Sequence, residues 1–195
     1  MHRQILRISC SALIVLVLTM VGANSSAYAI WGHGTSYGPT FGGGTFSYKD
    51  GLKINRATYD ISNYIQATST NTLYVDAPSA ITLKLWDNSG SYAIQGVALF
   101  LNVRGYNPDA ASSDSWIVYS KSTGVTTHDP HNILGPVKVD VKYDKYFMYV
   151  TFHMTPKSPM NTSWLIAQAW DFRLAVGTAK VIDAINISYV PFAYH

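Results

Sequence analysis

The residues of this sequence best suited to chemistry are two histidines that flank an Asp-Pro pair, His128-Asp129-Pro130-His131. Pro130 holds its own φ nearly fixed, so the segment has fewer conformations to lose when both imidazoles turn toward one ion. Asp129 could add a carboxylate, His153 a third imidazole from another strand, and Met160 a thioether from the loop that follows it. Nitrogen and thioether donors without a thiolate suit copper or zinc better than magnesium or calcium. These residues therefore predict a labile copper or zinc site on His128, His131 and His153, with Asp129 and Met160 as weaker donors; the competing expectation is a His-rich loop in solvent. His33 offers a second copper idea, because leader cleavage after Ile30 would put it third from a free amine.

Catalytic patterns are missing. The chain holds no Glu, no G-x-S-x-G and no H-E-x-x-H, and nothing in it pairs two Asp residues for acid–base work. The expectation is a protein that is not an enzyme. Aromatic residues stand out instead: 14 Tyr, 7 Phe and 5 Trp, with Trp86 expected on the open side of its strand beside Lys84. Exposed Trp and Tyr stack on sugar rings or anchor protein interfaces, although strands also favour aromatics simply for pairing across a sheet. Asn161-Thr162-Ser163 and Asn186-Ile187-Ser188 fit the glycosylation sequon, the first in a loop-like stretch and the second within an expected strand.

What must position these residues begins with export. Arg3 and Arg7 precede a charge-free stretch, Ile8–Ala23, and Ala27-Tyr28-Ala29 supplies a small-x-small cleavage pattern. Residues 1–29 are read as a signal peptide, with Ile30 the expected mature N-terminus and retention as an anchor the alternative. Its loss removes two cations and lowers the formal charge from +3 to +1, too little to favour nucleic acid or an anionic membrane. The one cysteine, Cys10, leaves with it, so the exported part would have no disulfide, no thiolate ligand and no second segment of spanning length.

Residues 30–44 are Gly-rich and are expected to be flexible, and residues 45–192 to form one domain. Within it, apolar residues alternate with polar ones in short runs separated by turn residues. Strands are predicted over Thr45–Tyr48, Leu52–Ile61, Ile81–Trp86, Val97–Val103, Ser115–Ser120, Val137–Tyr143, Tyr146–Met154 and Val181–Val190, and Trp164–Asp171 is strand or short helix. Turn signals at roughly ten-residue spacing without long helices imply an all-β, antiparallel sandwich of Ig-like, Greek-key or jelly-roll kind. Ile81, Leu83, Leu85, Val97, Leu99, Leu101, Val103, Val150 and Phe152 should form its core.

The strand and turn Leu83 to Gly90, the run Gly96–Gly105, Met148–Phe152, and Pro159–Trp164 with Ala169-Trp170-Asp171 resemble exported β-sandwich proteins of ammonia-oxidising archaea. Camelysin-type filament subunits share a strand–Asn-x-Gly–strand element like the one at Asn88-Ser89-Gly90. The first resemblance spans about half of the exported chain and rests on strand-and-turn patterns. It implies a β fold and a secreted or cell-surface protein of archaeal type, and it carries over no active site. The sequence thus leads to a binding or structural module at the cell surface, with envelope proteins or other surface proteins as partners. A copper- or zinc-binding protein and a glycan-binding module are the alternatives.

Overall fold

A computed structural model describes residues 37–44, 48–103, 105 and 108–191. The expected signal peptide, its cleavage site and His33 lie outside these residues. Thirteen strands are present among them: β1 (Thr40–Phe41), β2 (Leu52–Ile54), β3 (Ala57–Tyr59), β4 (Ile65–Ala67), β5 (Asn71–Tyr74), β6 (Ser79–Trp86), β7 (Ile94–Val103), β8 (Ser113–Ser120), β9 (Gly124–His128), β10 (Val137–Tyr143), β11 (Phe147–Met154), β12 (Met160–Asp171) and β13 (Val176–Ser188). Single 3₁₀ turns precede β7 and β8, and the described residues contain no α-helix.

The strands form two sheets. One runs β3-β2-β6-β11-β10, with β1 also on β6; the other runs β4-β13-β12-β7-β8-β9, with β5 also on β13. The chain crosses between sheets after β3, after β5, after β6, after β9 and after β11. With β2, β6, β11 and β10 in the places of A, B, E and D, and β13, β12 and β7 in those of G, F and C, the order is that of a variable-type immunoglobulin sandwich, β8 and β9 being the two strands beyond C.

Alternation explains the packing. Ile81, Leu83 and Leu85 of β6 and Met148, Val150 and Phe152 of β11 point to one side, and each is 0% exposed. Leu99, Leu101 and Ile117 meet them from the other sheet in one continuous core. A side chain of this kind stabilises the fold by roughly 1.5–3 kcal/mol when fully buried. All nine residues expected in the core are there, Val103 at its margin.

Several expectations need correction. Pairing is not wholly antiparallel: β4 and β5 run parallel to β13. More than a hundred residues separate them from it, so no hairpin dictates direction. Leu52–Ile61 is not one strand, because Asn55 (φ 51°) turns the chain between β2 and β3. The Asn55 side chain fixes that turn by accepting the Ala80 N–H at 2.8 Å. No strand is described over Thr45–Tyr48, where residues 45–47 lie outside the description. The Gly-rich segment is not a free linker in its described part: Thr40 and Phe41 pair with Trp86 and Leu85, and Phe41 is fully buried. Residues 164–171 are strand, and His128, expected in a loop, is the last residue of the strand Gly124–His128.

Candidate functional site

The residues expected to hold a metal are distributed over both sheets. His128 ends β9, and its ring stacks on Trp116 of β8 at 5.4 Å between centroids. Asp129 is occupied with its own loop: its carboxylate accepts the amides of Ile133 (2.8 Å) and Leu134 (2.7 Å) and the Ser115 hydroxyl (3.2 Å). His131 is exposed in that loop. His153 lies on β11 of the opposite sheet, where its Nε2 meets Asp140 at 3.1 Å. Met160 is 5% exposed and belongs to the core, because β12 begins at that residue. Among the described residues no three His, Cys, Asp or Glu side chains come together to hold a metal ion. Of the sequons, Asn161 is exposed, whereas Asn186 is half-buried on β13.

Cross-strand register defines the outer face of the six-stranded sheet. Trp86 sits beside Phe147; Lys84, Tyr149 and Lys142 form the next row; Lys53, Thr82, Thr151 and Asp140 the next; Ala80, His153 and Lys138 the last. Its side chains engage each other. Thr82 and Thr151 share a hydrogen bond of 2.9 Å, and the Lys84 ammonium lies 4.4 Å from the Phe147 ring centre. Asp140 bridges Lys138 at 2.9 Å and His153 at 3.1 Å. The Lys138 hydrogen bond and charge, with His153 behind them, hold its carboxyl below the usual carboxylate range. Trp86 was expected to be open; it is half-buried, with Gly44 against its ring.

The outer face of the seven-stranded sheet is of another kind. Its rows are Val176, Trp170, Gly96, Ser120 and Gly124; then Thr178, Gln168, Ala98, Val118 and Thr126; then Lys180, Ile166, Phe100, Trp116 and His128. Trp164 stands at the end of this face, beyond Ile166 on β12. There is no carboxylate in these rows, and the one lysine, Lys180, donates to the Pro108 carbonyl at 2.8 Å. Ala98, Phe100 and Ile166 are 2%, 3% and 0% exposed although they point away from the core between the sheets. Half-buried Trp116 stands beside Phe100 across the strands. Trp170 lies down on Gly96, so closely that a Cβ there would fall 1.9 Å from its Cζ2. Gln168 is satisfied locally by Thr178 (3.3 Å). The result is a partly dry, aromatic, nearly uncharged platform, and it is the candidate site. Sequence reasoning passed over it, yet two signals were present: three of the five Trp fall on it, and the unbroken apolar run Val97–Leu101 marks a strand covered on both faces.

No family model matches the chain, and no curated protein is similar to it. Among solved structures, the ASH/PapD-like domain of human CEP192 (PapD-like domain 7) is similar at 9% identity, over 88% of this chain and 99% of that one, with a TM-score of 0.27. The architecture described above rests on strand order and packing rather than on that likeness.

Two further clusters lie at one end of the sandwich, where β6, β8, β10 and β12 finish. Tyr92 and Tyr143 stack at 4.8 Å, and the Lys121 ammonium donates to the Tyr92 carbonyl at 2.7 Å while lying 5.2 Å from the Tyr143 ring. Burial, with Tyr119 beside it, pushes the Tyr143 phenol up to about 12, and burial lowers the Lys121 ammonium. These groups partner one another across the two sheets and so act as a clamp. At the end of β6, Asp87 is 2% exposed and its Oδ1 accepts the Ser89 amide at 2.7 Å. Burial raises its pKa, Ser89 opposes this, and the nearby Asp171 charge raises it further. Asp171 is itself spent on the turn to β13, where it accepts the amides of Arg173 and Ala175.

Proposed function

We propose that this chain is an exported, non-catalytic binding module that attaches to a protein of the cell envelope through the outer face of its seven-stranded sheet. The observation that carries this reading is that Trp116, Trp164 and Trp170 share a sheet face with buried Phe100 and Ile166. Trp is among the residues that contribute most to binding when they enter a desolvated contact. The platform carries no carboxylate, and its one lysine, Lys180, already donates to the Pro108 carbonyl, so a contact there would not leave that charge without a partner. Export rests on the charged start, the apolar stretch and the Ala27-Tyr28-Ala29 pattern. Intact-mass measurement on the native protein should give a chain beginning at Ile30.

A glycan is the second reading, favoured by one observation: the Trp170 indole lies along the sheet over Gly96, the posture in which a ring face can stack on a sugar. The test is co-sedimentation of the purified chain with isolated cell envelopes. Binding should be lost in a Trp164→Ala, Trp170→Ala double variant and after protease treatment of the envelopes. Loss after periodate oxidation of the envelopes, with protease without effect, would select the glycan. Equal sedimentation of wild type and double variant would overturn the platform as the site.

A further inference from the structure

Four sheet edges close the sandwich, and three of them are protected against adding another strand. The β10 edge reads Val-Lys-Val-Asp-Val-Lys-Tyr over residues 137–143. Antiparallel pairing with its own copy about Asp140 would set Asp140 on Asp140 and Lys138 on Lys142, and like charges directly opposite destabilise a pair. The β3 edge has three residues, between Arg56 and Asp60. The β4 and β5 edge is broken into strands of three and four residues. Short strands and charges are the usual means of keeping an edge single.

The β9 edge has none of these devices. Gly124-Val125-Thr126-Thr127-His128 contains no Lys, Arg, Asp, Glu or Pro, and four of its five residues are exposed. Among the described residues β9 pairs with β8 alone, leaving its other side without a strand. Val125 is 42% exposed. The strand also suits its own copy. Pairing about Thr126 sets Thr126 on Thr126, Val125 on Thr127 and Gly124 on His128, with no like-charged pair and a favourable Thr–Thr contact at the centre. A two-fold axis there makes a closed, isologous contact, so association stops at two chains.

From these edges we propose that the β9 edge is a homodimerisation site, in which two copies join antiparallel through Gly124–His128 to form one continuous sheet. The contact keeps both Trp-bearing faces on the same side and doubles the platform. The dimer does not depend on what the platform binds.

Sedimentation velocity on the full-length chain over a concentration series tests this. The wild type should sediment as a concentration-dependent dimer. Thr126→Lys and Thr126→Asp should each be monomeric, because each places like charges across the axis. An equimolar mixture of the two should recover a dimer, since Lys then faces Asp. Near-UV circular dichroism, reading Trp116 on the neighbouring strand, checks that both variants fold. In the wild type, amide exchange in β9 should slow as concentration rises. A wild type monomeric up to about 100 µM, a Thr126→Lys variant as dimeric as wild type, or a mixture that stays monomeric would each overturn the proposal.

Discussion

The two outer faces of this sandwich begin from the same rule and end with opposite chemistry. In β6 and β11 every second residue is buried, and the residues between them are Ala80 and Thr, Lys, His and aromatic side chains that remain half in water. In β7 and β12 the alternation disappears into runs of buried residues, because the outward positions Ala98, Phe100, Ile166 and Gln168 are buried as well. A sheet face in contact with water needs only polar side chains with local partners. A dry one must be covered, and here the Trp116 and Trp170 side chains on the same face are themselves half-buried. What differs between the faces is therefore the free energy each outward side chain carries.

The strongest way to break this comparison is to remove one outward side chain from each face. Phe100→Ala should cost about 3–5 kcal/mol, the usual loss for a buried Phe, although Phe100 points away from the core between the sheets. Lys84→Ala on the other face should cost less than about 1 kcal/mol, since it loses an exposed cation–π contact with Phe147 and a long, exposed hydrogen bond to the Lys49 carbonyl. Urea unfolding of both variants measures this. Similar losses would mean that the platform is not dry and that the faces are energetically alike.

The glycines beneath the two indoles offer a smaller version of the same test. A Cβ on Gly96 would fall inside Trp170, at 1.9 Å, so Gly96→Ala must displace the ring and should cost about 1–3 kcal/mol as overpacking does. On the other face, a Cβ on Gly44 would meet Trp86 at 3.3 Å, a contact that a small shift relieves. Gly44→Ala should stay within about 0.5 kcal/mol. Tryptophan fluorescence should shift in the first variant and not in the second.

The legibility of these features in the sequence follows the same division. Ile81, Leu83 and Leu85 alternate with Thr82, Lys84 and Trp86, and a period of two with one wet face can be read directly. Val97–Leu101 is apolar at every position; that pattern gives the strand but not which residues face the platform. β4 and β5 were illegible because they exist only through parallel pairing with β13, a contact across the whole domain that no local pattern encodes. β9 was hidden by His128-Asp129-Pro130-His131: a Pro and two His suggest a loop, whereas the strand runs up to His128 and the loop starts at Asp129. The Trp platform was visible only as an excess of Trp, since register decides which of them share a face.

Where the two sheets meet near the end of β6, a carboxyl has been buried, and pH sharpens the contrast with the charged face. Asp87 is raised in the folded chain above its ordinary value of 3.8. Between those two values the native state holds a proton that the unfolded state has released. Its contribution to stability is therefore complete below 3.8 and is lost as pH rises through the folded pKa. Asp87→Asn keeps an acceptor for the Ser89 amide and removes the titration, so its stability should fall less steeply over that range. Asp140 is exposed and shifted downward, so it works in the opposite sense: what it contributes is present above 3.8 and is lost as pH falls through its folded pKa. Urea midpoints across pH for wild type, Asp87→Asn and Asp140→Asn separate the two. A wild-type slope unchanged in Asp87→Asn would show that Asp87 is not the group responsible.

The smallest effect is expected where the sequence promised the most chemistry. A joint copper or zinc site needs His128, His131 and His153 to converge, and a metal–nitrogen bond is only about 2.0–2.1 Å long. Here His128 and His153 belong to different sheets, and the Asp129 carboxylate already accepts two hydrogen bonds from its own loop and one from Ser115 of β8. The His153 Nε2 faces Asp140, on the charged face, while His128 stacks on Trp116, on the aromatic one. Metal should therefore find single imidazoles and bind them weakly, one face independently of the other. Trp116 supplies the readout, because Cu(II) held at His128 would lie beside the indole and quench it. Quenching should be weak, far from saturation at micromolar Cu(II), and nearly the same in a His128→Ala, His131→Ala double variant. Saturable micromolar quenching that the double variant abolishes would show that the two histidines do act together, and that the aromatic face carries a metal.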